Sequence, residues 1–173
     1  MPADDFAQMR QYVADFVAAF PLGKGQTQFG LVTTYADSQV FYTGINGVIN
    51  RRALLHTIET LQQEISNGQT LKLSLQAIEN AYLKTSKAKR KLVVYVTGNT
   101  NFDASPNDYI ATLKKTYGLD SVAARWTTKA DAATLAGVTG GLRCSIDATD
   151  STTRPSLIGL LEQKICQNSF CRS

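Results

Sequence analysis

Residues 92–99 of this 173-residue chain have the sequence LVVYVTGN, and the first five positions are all apolar. A run that is apolar at every position is typical of a strand buried on both faces, and such strands occur in parallel sheets covered by helices. In these sheets ligands bind at the carboxyl ends of the strands. The residues that follow the run, Thr97, Gly98 and Asn99, are therefore expected to lie at a binding site.

Helical and strand patterns alternate along the rest of the chain, which predicts an α/β fold with helices on both faces of a sheet. Predicted helices cover about residues 5–20 (capped by Asp4 or Asp5), a second segment from Leu54 to Ile65 closed by Asn67 and Gly68, residues 71–84, a segment through Ile110, Leu113 and Tyr117, residues 131–136, and a last helix from Pro155 with Leu157, Leu160, Leu161 and Ile165 facing inward. Predicted strands cover residues 27–35, an antiparallel edge strand at 39–42, the run at 92–96, a strand nearer an edge at 119–126, and residues 142–146.

Composition favours a globular protein. The chain is 43% hydrophobic and 18% charged with a net charge of +4, values that make disorder unlike its expected state. A length of 173 residues suits one domain. No apolar stretch reaches membrane-spanning length, and no signal-peptide pattern follows Met1.

Four stretches, taken in their order and spacing, resemble a von Willebrand factor type A (VWA) domain. They are residues 5–13 (DFAQMRQYV), residues 27–36 (TQFGLVTTYA), the loop 68–70 (GQT) with the helix after it, and the strand ending at Thr97. The resemblance implies a Rossmann-like three-layer α/β sandwich with a mostly parallel sheet and one antiparallel edge strand. It also implies a protein-interaction or adhesion function.

Members of the VWA family usually bind a divalent cation through Asp-x-Ser-x-Ser, a loop threonine and a later aspartate, because such cations need carboxylate oxygens. Thr70 matches the loop threonine, but Gly98 stands where the later aspartate is expected, and Asp-x-Ser-x-Ser occurs nowhere in the chain. The resemblance therefore predicts no metal, with Thr70 vestigial. It places a metal-independent ligand surface at Thr70, Thr97 and Asn99.

The lost motif belongs to the first strand of the family fold, so that strand is expected to be missing. We expect a single VWA-like domain over residues 1–173 that is incomplete at its N-terminus, with residues 167–173 as a tail. Met1 is then an internal methionine taken as a start, or the first residue of a shortened chain. Such a domain is expected to be unstable alone or to borrow a strand.

Three cysteines lie in the last thirty residues, at Cys144, Cys166 and Cys171. An odd number in an extracellular domain suggests a partner outside the chain. Since VWA domains often join their two ends by a disulfide, the resemblance permits Cys166 or Cys171 to pair upstream of Met1. A Cys144–Cys166 pair and three buried thiols are the alternatives.

Functional motifs of other classes are weak. The basic run at residues 84–91 has no interleaved aromatic residues, so we predict a solvated loop and no nucleic-acid partner. The single histidine, His56, lacks a matched nucleophile. We therefore predict a non-catalytic interaction module without a cofactor, in a secreted or cell-surface protein, with a matrix or cell-surface protein as its partner. The alternative is a Rossmann-like enzyme that binds a nucleotide or small substrate in the same crevice.

Overall fold

The structure is a computed structural model that describes residues 1–22, 25–34, 41–42, 50–63 and 68–167. The chain divides into two compact units, Met1–Ser86 and Lys87–Ser173. Expectations for residues 35–40, for Ile65 and Asn67 at the end of the second helix, and for Cys171 lie outside the described residues. The single domain over residues 1–173 stays a prediction.

The first unit contains three helices and a short antiparallel hairpin. The helices are α1 (Ala3–Ala18), α2 (Arg51–Glu59) and α3 (Leu71–Ile78), and a π-helical turn, Glu79–Leu83, continues α3. Strands β1 (Leu31–Val32) and β2 (Phe41–Tyr42) pair antiparallel, with Leu31 opposite Tyr42. The antiparallel strand predicted at residues 39–42 is thus confirmed over the part that is described.

Helix α1 begins earlier than its apolar pattern indicates. Pro2 occupies the N-cap position, and no side chain caps the helix, so the predicted capping role of Asp4 or Asp5 is wrong. Both aspartates instead lie in the first helical turn. There a negative charge interacts favourably with the positive end of the helix dipole, so the residues stabilise the same helix end by a different interaction.

Two arginines join α1 and α2 at their C-terminal ends. Arg10 of α1 donates from Nη1 to the carbonyl oxygens of Glu59 and Leu61, at 2.6 and 2.8 Å. Arg51 of α2 donates from its two terminal nitrogens to the carbonyls of Ala18 and Phe20, at 3.0 and 2.7 Å. Each helix therefore supplies a cation to the last carbonyls of the other, which requires the two helices to run antiparallel.

This contact also explains where α2 ends. The sequence pattern extends the helix to Asn67 and Gly68, but α2 stops at Glu59, so that boundary is wrong. Leu54 and Ile58 are buried as predicted, at 1% exposure each. Because the guanidinium of Arg10 holds the carbonyls at the end of α2, a residue distant in sequence determines the boundary.

The second unit is built on a three-stranded parallel sheet in the order β3-β4-β5. Its elements in chain order are β3 (Lys91–Thr97), α4 (Asn107–Tyr117), β4 (Leu119–Arg125), α5 (Ala132–Thr139), β5 (Ser145–Asp147) and α6 (Leu157–Gln167), with 3₁₀ turns at Leu142–Cys144 and Arg154–Ser156. The alternation of strand and helix confirms the predicted α/β architecture. None of the described helices has the length and apolar character needed to cross a bilayer.

Strand β4 lies between β3 and β5, so its predicted position nearer an edge is wrong. Val122, Ala123 and Ala124 are fully buried. Small side chains lower the hydrophobicity of the segment but let helices pack closely on both faces, so weak hydrophobicity did not indicate exposure. In α6, Leu157 and Leu161 are buried as predicted, whereas Leu160 is 42% exposed and does not face inward.

Helix ends in the second unit are closed by glycine and by a lysine. Gly118 and Gly140 follow α4 and α5 with φ of 63° and 92°, the left-handed conformation that glycine adopts without strain. Lys114 donates from Nζ to the carbonyl of Thr139 at 2.6 Å, at the end of α5. Burial lowers the pKa of Lys114, while Asp120 opposes that shift. This lysine is thus part of the packing between α4 and α5.

Replacing Arg10 by methionine is expected to destabilise the protein by about 1 to 2 kcal/mol, because two carbonyls at the end of α2 lose a charged donor while the apolar stem is kept. Urea denaturation followed by circular dichroism measures the change. The control is Arg52→Met at an exposed position of α2. Equal stability of the Arg10 and Arg52 variants would show that the cross-helix cap contributes nothing.

Candidate functional site

The three strands of the second unit end side by side. In the parallel register Thr97 lies opposite Arg125, and Arg125 lies opposite Asp147. The loops that follow them, residues 97–101, 126–131 and 148–154, therefore emerge from the same end of the sheet. We call these three loops the C-terminal edge. It is the location at which open parallel sheets bind ligands.

Thr97 and Asn99 form the first loop of the C-terminal edge by local hydrogen bonds. Thr97 is 3% exposed, and its hydroxyl donates to the carbonyl of Asn99 at 2.6 Å and accepts from the Asn99 amide at 3.3 Å. Asn99 Oδ1 in turn accepts from the amide of Asn101 at 3.1 Å. The structure thus brings these two predicted site residues together, where they fix the backbone of the turn after β3.

Two threonines join the first loop to the second. Thr127 donates from Oγ1 to the carbonyl of Gly98 at 2.5 Å, and Thr100 Oγ1 accepts from the amide of Asp131 at 2.9 Å. The backbone adds a bond from the Trp126 amide to the Thr97 carbonyl at 2.8 Å. Side-chain and main-chain hydrogen bonds therefore hold the loops after β3 and β4 in a fixed arrangement.

Arg154 joins the third loop to the second through Trp126. Its guanidinium donates to the carbonyls of Ala148 and Trp126, at 2.9 and 3.2 Å, and lies 4.6 Å from the centre of the indole ring. Trp126 is 1% exposed, so its predicted half-buried position is wrong. A cation over an indole face that also donates to two carbonyls stabilises both loops.

Arg125, at the end of β4, makes the corresponding contacts from the strand itself. It donates from Nε to the Ala130 carbonyl at 2.5 Å and forms an ion pair with Asp147, at 3.3 Å between Nη1 and Oδ2. Sequence reasoning missed Arg125, Thr127 and Arg154. Their contacts are to backbone carbonyls of other loops, for which the sequence carries no motif; position directly after a strand was the only available signal.

The carboxylates near the C-terminal edge are bound to local backbone and hydroxyl groups. Asp131 Oδ2 accepts from the amide and hydroxyl of Thr134, at 2.7 and 2.8 Å, which caps α5 and lowers the pKa of Asp131. Asp147 and Asp150 accept from the amides two residues later, and these bonds are the largest cause that lowers the pKa of each carboxyl group. All three carboxylates thus favour the ionised form through structural hydrogen bonds.

A divalent cation of the kind that the family resemblance implies does not fit this donor set. Such an ion needs several oxygen ligands that include carboxylates. The described residues contain no group of three or more His, Cys, Asp or Glu side chains that could hold a metal. At the end of β3, Gly98 supplies no side-chain oxygen, and the Thr97 hydroxyl is already bonded to the Asn99 backbone.

Thr70 belongs to the first unit, where it precedes α3. It is 7% exposed, and its carbonyl accepts from the amide and hydroxyl of Ser74, at 2.9 and 3.2 Å. The Ser74 hydroxyl also lies 3.0 Å from the carbonyl of Thr33. Thr70 is therefore a buried residue at the start of a helix, and its predicted role in ligand binding stays a prediction.

Solved structures with a similar fold come from the mussel byssus. Two structures of proximal thread matrix protein 1 match with TM-scores of 0.77 and 0.79, at 16% and 17% sequence identity, over 92% and 94% of this chain. A third structure of that mussel protein, with a zinc-occupied MIDAS motif, matches with a TM-score of 0.77 at 16% identity. Identities this low establish the fold alone. The present chain spans only 41% to 42% of the length of these proteins.

A search among curated proteins finds no match. The family model for the von Willebrand factor type A domain, in contrast, matches residues 1–157. This match covers most of the chain, and it agrees with the Rossmann-like α/β fold of the structural neighbours. The chain belongs to the von Willebrand factor type A domain family.

Proposed function

We propose that this chain is a non-catalytic protein-interaction module that binds a matrix or cell-surface protein through the C-terminal edge. The observation that carries the proposal is the set of bonds from Thr127, Arg125 and Arg154 that hold three loops together. Because a pre-organised surface loses little conformational entropy on binding, such loops suit recognition of a protein. Asn101, Thr128 and Lys129 are exposed there and would contact the partner.

The same contacts favour a binding module over an enzyme. Among the described residues of the C-terminal edge, the polar side chains named above bond to backbone atoms or cap helices. An enzyme of the alternative class needs side chains directed at a substrate, with an acid and a base or a nucleophile within reach of it. Thr97 and Asn99 then act by fixing the loop after β3, with Asn101 presented to the partner.

We further propose an extracellular setting. Support comes from family membership, from the matrix origin printed for the mussel relatives, and from the state of Cys144. This cysteine is 2% exposed and is held in a bonded state, so it does not titrate as a thiol. Because the chain has only two other cysteines, an internal partner must be Cys166 or Cys171. Disulfides persist in oxidising compartments.

Binding through the C-terminal edge is tested with an extracellular-matrix extract immobilised on a sensor surface. Lys129→Glu combined with Asn101→Arg is expected to reduce binding by roughly tenfold or more, since two altered side chains at the centre of an interface remove well over 1.4 kcal/mol. The control carries Thr116→Arg and Lys72→Glu, two exposed positions away from the three loops. Equal loss in both proteins would exclude the C-terminal edge.

The enzyme alternative is examined with the same protein. Isothermal titration with ATP, GTP and NAD is expected to give no heat of binding. Micromolar binding of a nucleotide, weakened by the Lys129 and Asn101 changes, would instead favour the nucleotide-binding reading and contradict the interaction module.

Metal independence gives a further prediction, because the residues at the C-terminal edge do not provide a carboxylate set. Adding millimolar Mg²⁺ or Mn²⁺, or EDTA, is expected to leave the melting temperature unchanged, since a ligand at 100 times its Kd would add about 2.7 kcal/mol of stability. Differential scanning calorimetry provides the measurement. A rise in melting temperature with Mg²⁺ that Thr97→Val abolishes would contradict the proposal.

The disulfide is tested by peptide mapping under non-reducing conditions. Mass spectrometry is expected to show a peptide containing Cys144 joined to one containing Cys166 or Cys171, with one thiol left to alkylate. Cys144→Ser is expected to free both remaining cysteines, whereas Ser145→Ala leaves the pair intact. Alkylation of all three cysteines in the unreduced protein would rule the disulfide out.

A further inference from the structure

A strongly basic segment lies at the opposite end of the same sheet. Residues 80–102 contain five Lys and Arg residues and no Asp or Glu, whereas the whole chain has a net charge of +4. All other residues together therefore carry a net charge of −1. Within this region Lys87, Lys89 and Arg90 are exposed, and Lys91 is half-buried at the first position of β3. We call residues 87–91 the basic segment.

Lys91 holds the basic segment against the end of α4. Its ammonium group donates to the carbonyl of Ala88 at 2.9 Å and to the carbonyl of Tyr117 at 3.5 Å. The position is favourable for a cation, since Tyr117 is the last residue of α4 and helix C-termini carry partial negative charge. The segment is thus folded into a defined turn by one of its own lysines.

The last turn of α4 adds a further cation beside the basic segment. Lys115 is exposed there, while its neighbour Lys114 is committed to the Thr139 carbonyl. The acidic residue at this end is Asp120, which lies opposite Leu92 in the sheet and interacts with Lys114. Among the described residues, Lys87, Lys89, Arg90 and Lys115 take part in no ion pair. Four exposed cations therefore remain for an external anion.

We propose that the basic segment, together with Lys115, binds a sulfated polysaccharide. Charge complementarity supports the proposal, since closely spaced cations release counterions from a polyanion and attract it over about a Debye length of 8 Å. The nearest tyrosines along the chain, Tyr82 and Tyr95, are buried at 5% and 6% exposure, so neither presents a ring on which a base could stack. The choice of a glycan over nucleic acid rests on the extracellular setting proposed above.

The experiment measures binding of the full 173-residue chain to heparin by isothermal titration at several NaCl concentrations. Lys89→Ser combined with Arg90→Ser is compared with Arg52→Ser combined with Lys72→Ser, which removes two equally exposed charges from the first unit. Double-stranded DNA of similar length and hyaluronan, which carries carboxylates but no sulfate, are titrated in parallel. Circular dichroism confirms that each variant keeps the wild-type helix content.

The expected result is salt-dependent heparin binding that weakens roughly tenfold or more in the Lys89 and Arg90 variant and changes less than about twofold in the control. Hyaluronan is expected to bind more weakly than heparin. Absence of heparin binding, equal weakening in both variants, or DNA binding as tight as heparin binding would each overturn the proposal. Because the C-terminal edge lies at the other end of the sheet, binding to the matrix extract by the Lys89 and Arg90 variant tests the proposed function separately.

Discussion

The in-register parallel pairing of β3, β4 and β5 is the constraint on which the second unit depends. Since Thr97, Arg125 and Asp147 occupy one row, the loops after all three strands emerge at one end, and the starts of β3 and β4 lie at the other. The sheet thereby separates a hydrogen-bonded polar edge from a strongly basic one. Parallel strands joined by helical crossovers impose this arrangement whatever the loop sequences are.

Contacts between arginine and main-chain carbonyl groups are the second recurring feature. Arg10 and Arg51 close the ends of α1 and α2 in the first unit, and Arg125 and Arg154 join loops in the second. The planar guanidinium has several donors, so one side chain can satisfy carbonyls from two places in the chain. These bonds stabilise helix ends and loops that local capping residues do not close.

The family usually places a divalent cation at the end of the sheet, yet this chain places other groups there. Thr97 turns its hydroxyl to the adjacent backbone, and Asp131, Asp147 and Asp150 serve as local hydrogen-bond acceptors. Each of these carboxylates has a lowered pKa because backbone amides stabilise its charge. The same physical effect that an ion would supply to a carboxylate is therefore supplied by the loops themselves.

The sequence alone determined the α/β class, the antiparallel hairpin, the family and the location of Thr97 and Asn99 at a strand end, because apolar periodicity and strand-end position are local properties. Only the tertiary structure decided that β4 is central, that Trp126 is fully buried and that α2 stops at Glu59. Each of these depends on a partner far along the chain, such as a flanking strand, Arg154 or Arg10. Burial and backbone hydrogen bonds between distant residues leave no periodic pattern in the sequence, so local patterns could not predict them.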